Sequence, residues 1–154
     1  MRLADRVVIV TGGAQGIGLG YVERLLEEGA AVAIVDIAED KGRAAVEALS
    51  TKGKVIFVQA DVSDEASVKA MADTVASELG GIDFLVNNAA LFGGMRLEGM
   101  LDMDLTYYNR FMNINVNGAL LCTRACLSYL MQRDRKSTRL NSSHVTTSRM
   151  PSSA

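Results

Sequence analysis

The sequence contains few residues of the kinds that cross-link a chain, interrupt its helices or bind metals. Its single proline, Pro151, lies near the end of the 154 residues, so proline interrupts none of the predicted helices or strands. Its two cysteines, Cys122 and Cys126, are four residues apart on one face of a predicted helix, which favours packing in the core over a disulfide framework. The only histidine is His144, so a zinc site lacks ligands and we predict no metal site.

Long apolar runs are also missing. No run approaches the roughly 18 residues of a membrane span, and the first residues lack the apolar stretch of a signal peptide. Hydrophobic residues make up 49% and charged residues 22%, as in ordinary globular proteins. We therefore expect a cytoplasmic protein with no membrane partner.

The last residues differ from the rest in composition. Residues 135–154 contain four basic residues and no acidic one, a pattern typical of an arm that binds nucleic acid. However, residues 134–144 (DRKSTRLNSSH) and 148–154 (SRMPSSA) resemble a common short-read sequencing adapter translated in frame. We therefore predict that residues 134–154 form a non-native, disordered tail, that the natural reading frame was cut near Arg133, and that no nucleic acid is bound.

The remaining residues alternate between two hydrophobic patterns. Apolar runs predict parallel strands at 6–10, 31–35, 54–59 and 82–86. Helical spacing predicts helices between them, including 39–49, one that ends at 79 with Ser63 as its N-cap, and a long helix over about 105–131. Such alternation produces βαβ crossovers. The fold class predicted for residues 1–133 is α/β, a doubly wound parallel sheet that is incomplete, with about four strands.

A glycine-rich segment, TGGAQGIG at residues 11–18, links the first strand to the next helix. In Rossmann domains the free N–H groups at this junction bind the pyrophosphate of a dinucleotide. The spacing of these glycines differs from G-x-G-x-x-G, and tight packing alone is their alternative role.

Asp36 ends the second strand, 18 residues after Gly18. This is close to the roughly 20 residues expected for the acid that holds the hydroxyls of an adenosine ribose, although a solvated strand-end acid is the alternative. A carboxylate there repels a 2′-phosphate, and neither Gln15 nor Ile37 supplies a cation for one. The sequence therefore predicts a truncated NAD-binding Rossmann domain that takes NAD rather than NADP.

Four motifs in residues 1–131 resemble, in the same order, those of the short-chain dehydrogenase/reductase family. TGGAQGIG resembles the TGxxxGxG signature, and Asp61-Val62 resembles the pair that contacts adenine. Residues 87–90 (NNAA) are similar to the family's NNAG, with alanine in place of the glycine. Residues 115–118 (NVNG) resemble the segment whose asparagine orders the water of a proton relay. The motifs imply a catalytic role for Asn115 and cofactor binding by Gly12, Gln15, Gly16, Ile17, Gly18, Asp36, Ile37, Asp61, Val62, Asn88 and Ala89.

The family's mechanism also requires a serine and a tyrosine that is followed four residues later by a lysine. The ammonium lowers the pKa of the phenol so that it can exchange a proton near neutrality. The family places these residues after the fifth strand, and none of the four tyrosines in this chain has a lysine at that spacing. We therefore expect the chain as given to have no dehydrogenase activity.

The resemblance implies an NAD(P)-dependent oxidoreductase that interconverts a small-molecule alcohol and carbonyl by hydride transfer. A non-catalytic dinucleotide-binding or regulatory module is the alternative, and a downstream serine and Tyr-x-x-x-Lys would separate the two. The intact parent is expected to be a homo-oligomer, because the helix that ends near residue 131 resembles the family's oligomer-forming helix. The apolar residues of 91–103 suit either a pocket wall or core packing.

Overall fold

The computed structural model describes residues 1–93, 96 and 98–141, with side chains described as far as Arg133. It contains four strands: β1 (Val7–Thr11), β2 (Ala31–Asp36), β3 (Val55–Gln59) and β4 (Phe84–Val86). Five α-helices follow or separate them: α1 (Gly16–Glu27), α2 (Glu39–Leu49), α3 (Glu65–Leu79), α4 (Leu105–Met112) and α5 (Gly118–Asn141). A π-helical turn, Asn113–Asn117, joins α4 to α5.

The four strands form one parallel sheet in the order β3-β2-β1-β4. Within β1, Val8 pairs with Val32 of β2 on one side and with Phe84 of β4 on the other. The chain therefore extends the sheet in one direction through β2 and β3, and then places β4 on the opposite side of β1. Ligands of open α/β sheets bind at such a switch point, beyond the carboxyl ends of the strands. The predicted doubly wound parallel sheet of about four strands is confirmed.

Two apolar cores lie on opposite faces of this sheet, because successive side chains of a strand point to opposite sides. One core places Ile9 and Val35 against α3 and α5, and the other places Val10 and Ile34 against α1 and α2. Every residue of β1 is buried, which explains why its sequence is continuously apolar rather than alternating.

The cysteines Cys122 and Cys126 of α5 are both free and fully buried in the first of these cores. Their prediction as packing residues is confirmed. Burial raises the pKa of the Cys122 thiol to about 11. Burial, with a smaller contribution from Cys122, raises the pKa of Cys126 to about 12.

The N-terminus of α3 differs from the prediction. Asp64, not Ser63, caps the helix, and its Oδ2 accepts a hydrogen bond from the Ser67 amide at 2.7 Å. Ser63 instead donates through its amide and its Oγ to Oδ1 of Asp61, at 2.9 and 2.7 Å. The prediction of Ser63 as N-cap was wrong because a competing acceptor lies two residues before it.

The predicted long helix is divided into three segments. The amide of Gly118 donates to the carbonyl oxygen of Asn113, five residues earlier, so the π-helical turn accommodates one more residue than an α-helical turn. After this turn α5 continues beyond residue 131 to Asn141. Side chains are described only as far as Arg133 and residues 142–154 lie outside the described part of the chain, so the predicted tail over residues 134–154 stays a prediction.

The opposite edge of the sheet, where the strands begin, is held by the carboxylate of Asp83, which is 3% exposed. It accepts hydrogen bonds from the Val7 amide at 2.9 Å and from Nη1 of Arg6 at 3.0 Å. Nε of Arg133, on α5, lies 3.5 Å from Oδ2 of the same carboxylate. The contacts join α5 to the start of β1 and β4, and leave the carboxyl edge of the sheet free of this network.

Among the described helices, none is long and apolar enough to cross a bilayer.

Candidate functional site

The predicted cofactor-binding residues all lie at or just beyond the carboxyl ends of the strands, along one edge of the sheet. Residues 12–18 follow β1, Asp36 and Ile37 lie at the end of β2, and two further pairs follow β3 and β4. The structure brings these segments into contact through the hydrogen bonds described below. In the described part of the chain, no three His, Cys, Asp or Glu side chains form a group that could hold a metal ion.

The N-terminus of α1 is open to solvent. Gln15 precedes this helix in an extended conformation, and its side chain makes no capping hydrogen bond. The first turn of α1 contains no acidic side chain, and Ile17 is 73% exposed. The amides at the start of a helix have no partner within it and carry the positive end of its dipole. This terminus therefore fits an anionic group such as a diphosphate.

Glycine occupies two positions of this segment for different structural reasons. Gly16 has φ of +58°, a left-handed conformation that favours glycine, and a Cβ built there meets no protein atom within 4 Å. At Gly18 a Cβ would overlap the carbonyl oxygen of Gly12 and crowd the Asn88 side chain. Close packing accounts for Gly18, whereas the space beside Gly16 is open to a ligand.

The carboxylate of Asp36 is held against this loop. Its Oδ2 accepts a hydrogen bond from the Ala14 amide at 3.2 Å, and its Oδ1 accepts one from the Ala38 amide at 3.1 Å. Each carboxylate oxygen has a further lone pair, so the group can also accept hydrogen bonds from a ligand's hydroxyls. The acid predicted from sequence spacing therefore lies beside the start of α1, with a fixed orientation.

A lysine that the sequence prediction did not include also reaches this loop. Lys41, in the first turn of α2, donates from Nζ to Oε1 of Gln15 at 2.6 Å. Ile37, the residue after Asp36, is 63% exposed, and its carbonyl oxygen accepts a hydrogen bond from Gln59. Gln15 and Ile37 themselves supply no cation, but Lys41 places one beside Gln15. A prediction that packed the first turn of the helix after Asp36 against the glycine loop would have identified Lys41.

The pair after β3 is fixed from two directions. The Asp61 amide donates a hydrogen bond to Oγ of Ser67 at 3.0 Å, and the Asp61 carboxylate accepts hydrogen bonds from the amide and hydroxyl of Ser63. Val62 is 9% exposed and packs against Gly118 at the start of α5. The loop after β3 is therefore anchored to both α3 and α5.

Thr11 links the loops after β1 and β4. Its side chain is buried, and Oγ1 accepts hydrogen bonds from the amides of Asn88 at 3.0 Å and Ala89 at 3.1 Å while donating to the Val86 carbonyl at 3.3 Å. The Asn88 side-chain amide donates in return to the carbonyl oxygens of Thr11 at 3.0 Å and Gly12 at 3.2 Å. Thr11 was not among the predicted site residues, although a hydroxyl at the end of a buried apolar strand is a signal for such a role.

Asn115 lies in the π-helical turn and contacts the loop after β4. Its Oδ1 accepts a hydrogen bond from the Leu91 amide at 2.7 Å, and its Nδ2 donates to the Leu91 carbonyl at 3.3 Å. Nearby, the Asn87 side-chain amide donates to Oγ1 of Thr123 at 3.2 Å. A small cleft opens here and is lined by Thr11, Val62, Asn87, Ala89, Asn115, Gly118, Ala119 and Cys122.

Of the apolar residues of 91–103, Leu91 and Met103 are half-buried, three are exposed and two lie outside the described residues. Phe92 is 75% exposed and Leu101 is 98% exposed, and Met100 is similarly exposed, so these three do not pack in the core of this chain. Met95 and Leu97 lie outside the described residues.

Comparisons with known proteins agree with this arrangement. The sequence model of the family described as short chain dehydrogenase matches residues 6–151. An uncharacterized oxidoreductase of Mycobacterium tuberculosis is 49% identical over 130 residues, which cover 84% of this chain and 52% of the relative. Galactitol 2-dehydrogenase of Agrobacterium fabrum is 38% identical over 135 residues, which cover 88% of this chain and 51% of the relative.

Solved structures give the same result. A short chain dehydrogenase from Mycobacterium smegmatis superposes with a TM-score of 0.78 at 34% sequence identity, covering 83% of this chain and 53% of that chain. A Serratia marcescens short-chain dehydrogenase/reductase mutant superposes with a TM-score of 0.79 at 32% identity. The chain spans about half the length of the curated relatives it matches.

Proposed function

This chain belongs to the short-chain dehydrogenase family, and we propose that it binds NAD at the carboxyl edge of its sheet. Members of this oxidoreductase family use nicotinamide dinucleotides, either NAD or NADP. The nicotinamide ring, when bound, supplies the hydride acceptor or donor. The residues described above bind and orient the cofactor, as part of a protein that interconverts a small-molecule alcohol and carbonyl.

One hydrogen bond supports this proposal above the others. The Ala14 amide donates to the Asp36 carboxylate at 3.2 Å, so the carboxylate lies beside the segment that opens α1. A single ligand that carries both a diphosphate and a ribose can therefore contact the positive helix terminus and the carboxylate together. Asp61 and Val62, on the next loop, are proposed to contact the adenine ring.

The preference for NAD rests on Asp36. Its carboxylate accepts hydrogen bonds from ribose hydroxyls, whereas a 2′-phosphate there would bring two negative groups together. Like charges about 4 Å apart in water repel by about 1 kcal/mol, and by more where solvent is partly excluded. We propose NAD as the preferred cofactor on this ground.

Catalysis needs groups beyond this cofactor site. The tyrosines Tyr21, Tyr107, Tyr108 and Tyr129 are followed at the fourth position by Leu25, Phe111, Met112 and Arg133. Because none of these is a lysine, we propose that the 154-residue chain binds cofactor without turnover. The relay role of Asn115 stays part of the proposal for the longer protein, as do its homo-oligomeric state and its cytoplasmic location.

We propose a non-catalytic protein as the second candidate function. A dinucleotide-binding or regulatory module without chemistry needs the glycine loop and Asp36 but no Tyr-x-x-x-Lys pair. The two functions differ in the residues they require, since only the enzyme needs the serine, tyrosine and lysine.

An NADH titration tests the proposal on the chain as it exists. We expect the fluorescence of NADH to change saturably as the protein is added. An excess of NAD should reverse the change by competition. With NAD and a panel of simple alcohols, we expect no increase in absorbance at the NADH wavelength. Absence of saturable NADH binding would overturn the binding proposal, and measurable NAD-dependent turnover would overturn the proposal of inactivity.

A further inference from the structure

We propose that Lys41 is a specificity-determining residue that allows the adenosine end of this site to accept a 2′-phosphate, so that NADP-type ligands can bind in addition to the preferred NAD. The inference rests on the proposed dinucleotide function. It begins from the 2.6 Å hydrogen bond between Nζ of Lys41 and Oε1 of Gln15, two residues separated by 26 positions in the sequence.

Neither of the two acids in the first turn of its own helix, Glu39 and Asp40, forms an ion pair with Lys41. Glu39, two residues earlier, accepts instead from Arg43, with Nη2 of the arginine 2.7 Å from Oε1 of the glutamate. Among the described residues, no carboxylate lies within ion-pair distance of the Lys41 ammonium, and its hydrogen-bond partner there is the neutral amide of Gln15. A full positive charge is therefore available to an anionic ligand at this position.

The position of the Lys41 charge relative to Asp36 determines how the site responds to a 2′-phosphate. Consecutive loop residues contact opposite charges: the Ala14 amide donates to the Asp36 carboxylate, and the Gln15 side chain accepts from Lys41. A ribose held by Asp36 would therefore lie against Ala14, one residue from the side chain that Lys41 contacts. A phosphate at the 2′ position of that ribose is repelled by the carboxylate and attracted by the ammonium, so the two effects oppose each other.

The side chains at positions 15 and 37 on their own predict strong discrimination against a 2′-phosphate, since neither is a cation. Lys41 supplies the cation from the first turn of the following helix, which is the role a nearby basic residue has in NADP-binding Rossmann domains. The preference for NAD set by Asp36 is therefore weakened rather than absolute.

The test uses ligands that probe only the adenosine half of the site. ADP-ribose and its 2′-phosphorylated counterpart are titrated separately into the wild-type chain and into Lys41→Met, by calorimetry. We expect Lys41→Met to weaken binding of the phosphorylated ligand by about fivefold, which is the size of one charge pair about 4 Å apart in water. Its affinity for ADP-ribose should stay within about twofold of wild type, because the unphosphorylated ribose gives the ammonium no anion at the 2′ position.

Two matched variants serve as controls for Lys41→Met. Lys41→Arg keeps the charge and should keep the binding of the phosphorylated ligand. Lys52→Met removes one positive charge beyond the C-terminal end of α2, where Lys52 Nζ lies 3.9 Å from Glu23 Oε1, and should leave both ligands unaffected. Because Lys41 is exposed, circular dichroism should show that all three variants are folded.

The outcomes distinguish the two proposals. Equal losses for both ligands in Lys41→Met, or no loss for either, would overturn the role of Lys41 while leaving the dinucleotide function intact. Failure of the wild-type chain to bind either ligand would overturn both. A loss confined to the phosphorylated ligand, and diminished by raising the salt concentration, is the result that supports the role.

Discussion

The hydroxyl of Thr11 and the backbone amide of Asn88 are joined by a 3.0 Å hydrogen bond that connects the carboxyl ends of β1 and β4. The same hydroxyl oxygen accepts from Ala89 and donates to Val86, so its hydrogen-bonding capacity is fully used in a buried position. Because the strand order reverses between β1 and β4, this one side chain sets the spacing of the two loops at the switch point.

Replacement of Thr11 should therefore lower the free energy of unfolding. Thr11→Val keeps the volume but leaves the half-buried amides of Asn88 and Ala89 without their acceptor, and an unsatisfied buried group costs about 1–3 kcal/mol. We expect the free energy of unfolding in urea to fall by about 2–3 kcal/mol in this variant.

Thr11→Ser is the control, because it restores the hydroxyl and loses only a methyl group. It should recover most of the loss seen in Thr11→Val. Equal stability of the valine and serine variants would show that the hydroxyl does not hold the loops.

Two glycines of α1 give opposite predictions for the same substitution. A Cβ at Gly18 overlaps the Gly12 carbonyl oxygen, so Gly18→Ala should lower the free energy of unfolding by about 1–3 kcal/mol. A Cβ at Gly20 meets no atom within 4 Å, so Gly20→Ala should raise it by about 0.5–1 kcal/mol through helix propensity. Thermal unfolding of both variants checks the signs, and a shift in the same direction for both would contradict the close packing of α1 against the loop.

The contacts of Asp83 predict a stabilising role at the opposite edge of the sheet. Asp83→Asn removes the negative charge that faces Arg6 and Arg133. Because both arginines are partly exposed, we expect a loss of about 2 kcal/mol, below the 3–5 kcal/mol typical of fully buried pairs. Asp102→Asn, at an exposed position, serves as the control for the loss of one negative charge and should change stability by less than about 0.5 kcal/mol. Equal effects of the two substitutions would contradict the role of Asp83.

The two buried thiols predict how stability depends on alkaline pH. Burial raises the pKa of Cys122 from 9.0 to about 11 and that of Cys126 from 9.0 to about 12. The folded chain therefore keeps protons that the unfolded chain loses, so the free energy of unfolding should decrease as the pH rises above about 9. A variant in which both cysteines are replaced by alanine should lose this component of the alkaline dependence. Rapid reaction of either thiol with a disulfide reagent in native buffer would contradict their burial.

The sequence was sufficient for features that depend on local pattern. The buried strands β1 and β2 follow from continuous apolar runs, and the position of Asp36 follows from the length of one strand–helix–strand unit. The N-cap of α3 was missed by one residue because Ser63 and Asp64 are both good caps. Only the structure shows that the Asp61 carboxylate engages Ser63.

Features that depend on tertiary placement could not be predicted in this way. The contact between Lys41 and Gln15 requires the packing of α2 beside the glycine loop, and no local pattern encodes it. The π-helical turn likewise adds a residue within an otherwise periodic segment, and the contacts of Asn115 with Leu91 become visible only when that turn faces the loop after β4.

Calorimetric titration of ADP-ribose into the full chain, compared with Asp36→Ala, is the most direct measurement of dinucleotide binding at this edge. Asp40→Ala, at an exposed position in the first turn of α2, is the matched loss of one negative charge. We predict saturable binding to one site per chain, a loss of about tenfold or more in Asp36→Ala from the missing charged hydrogen bonds, and near-wild-type affinity in Asp40→Ala. No saturable binding by the wild-type chain, or equal affinity in wild type and Asp36→Ala, would contradict dinucleotide binding at this edge.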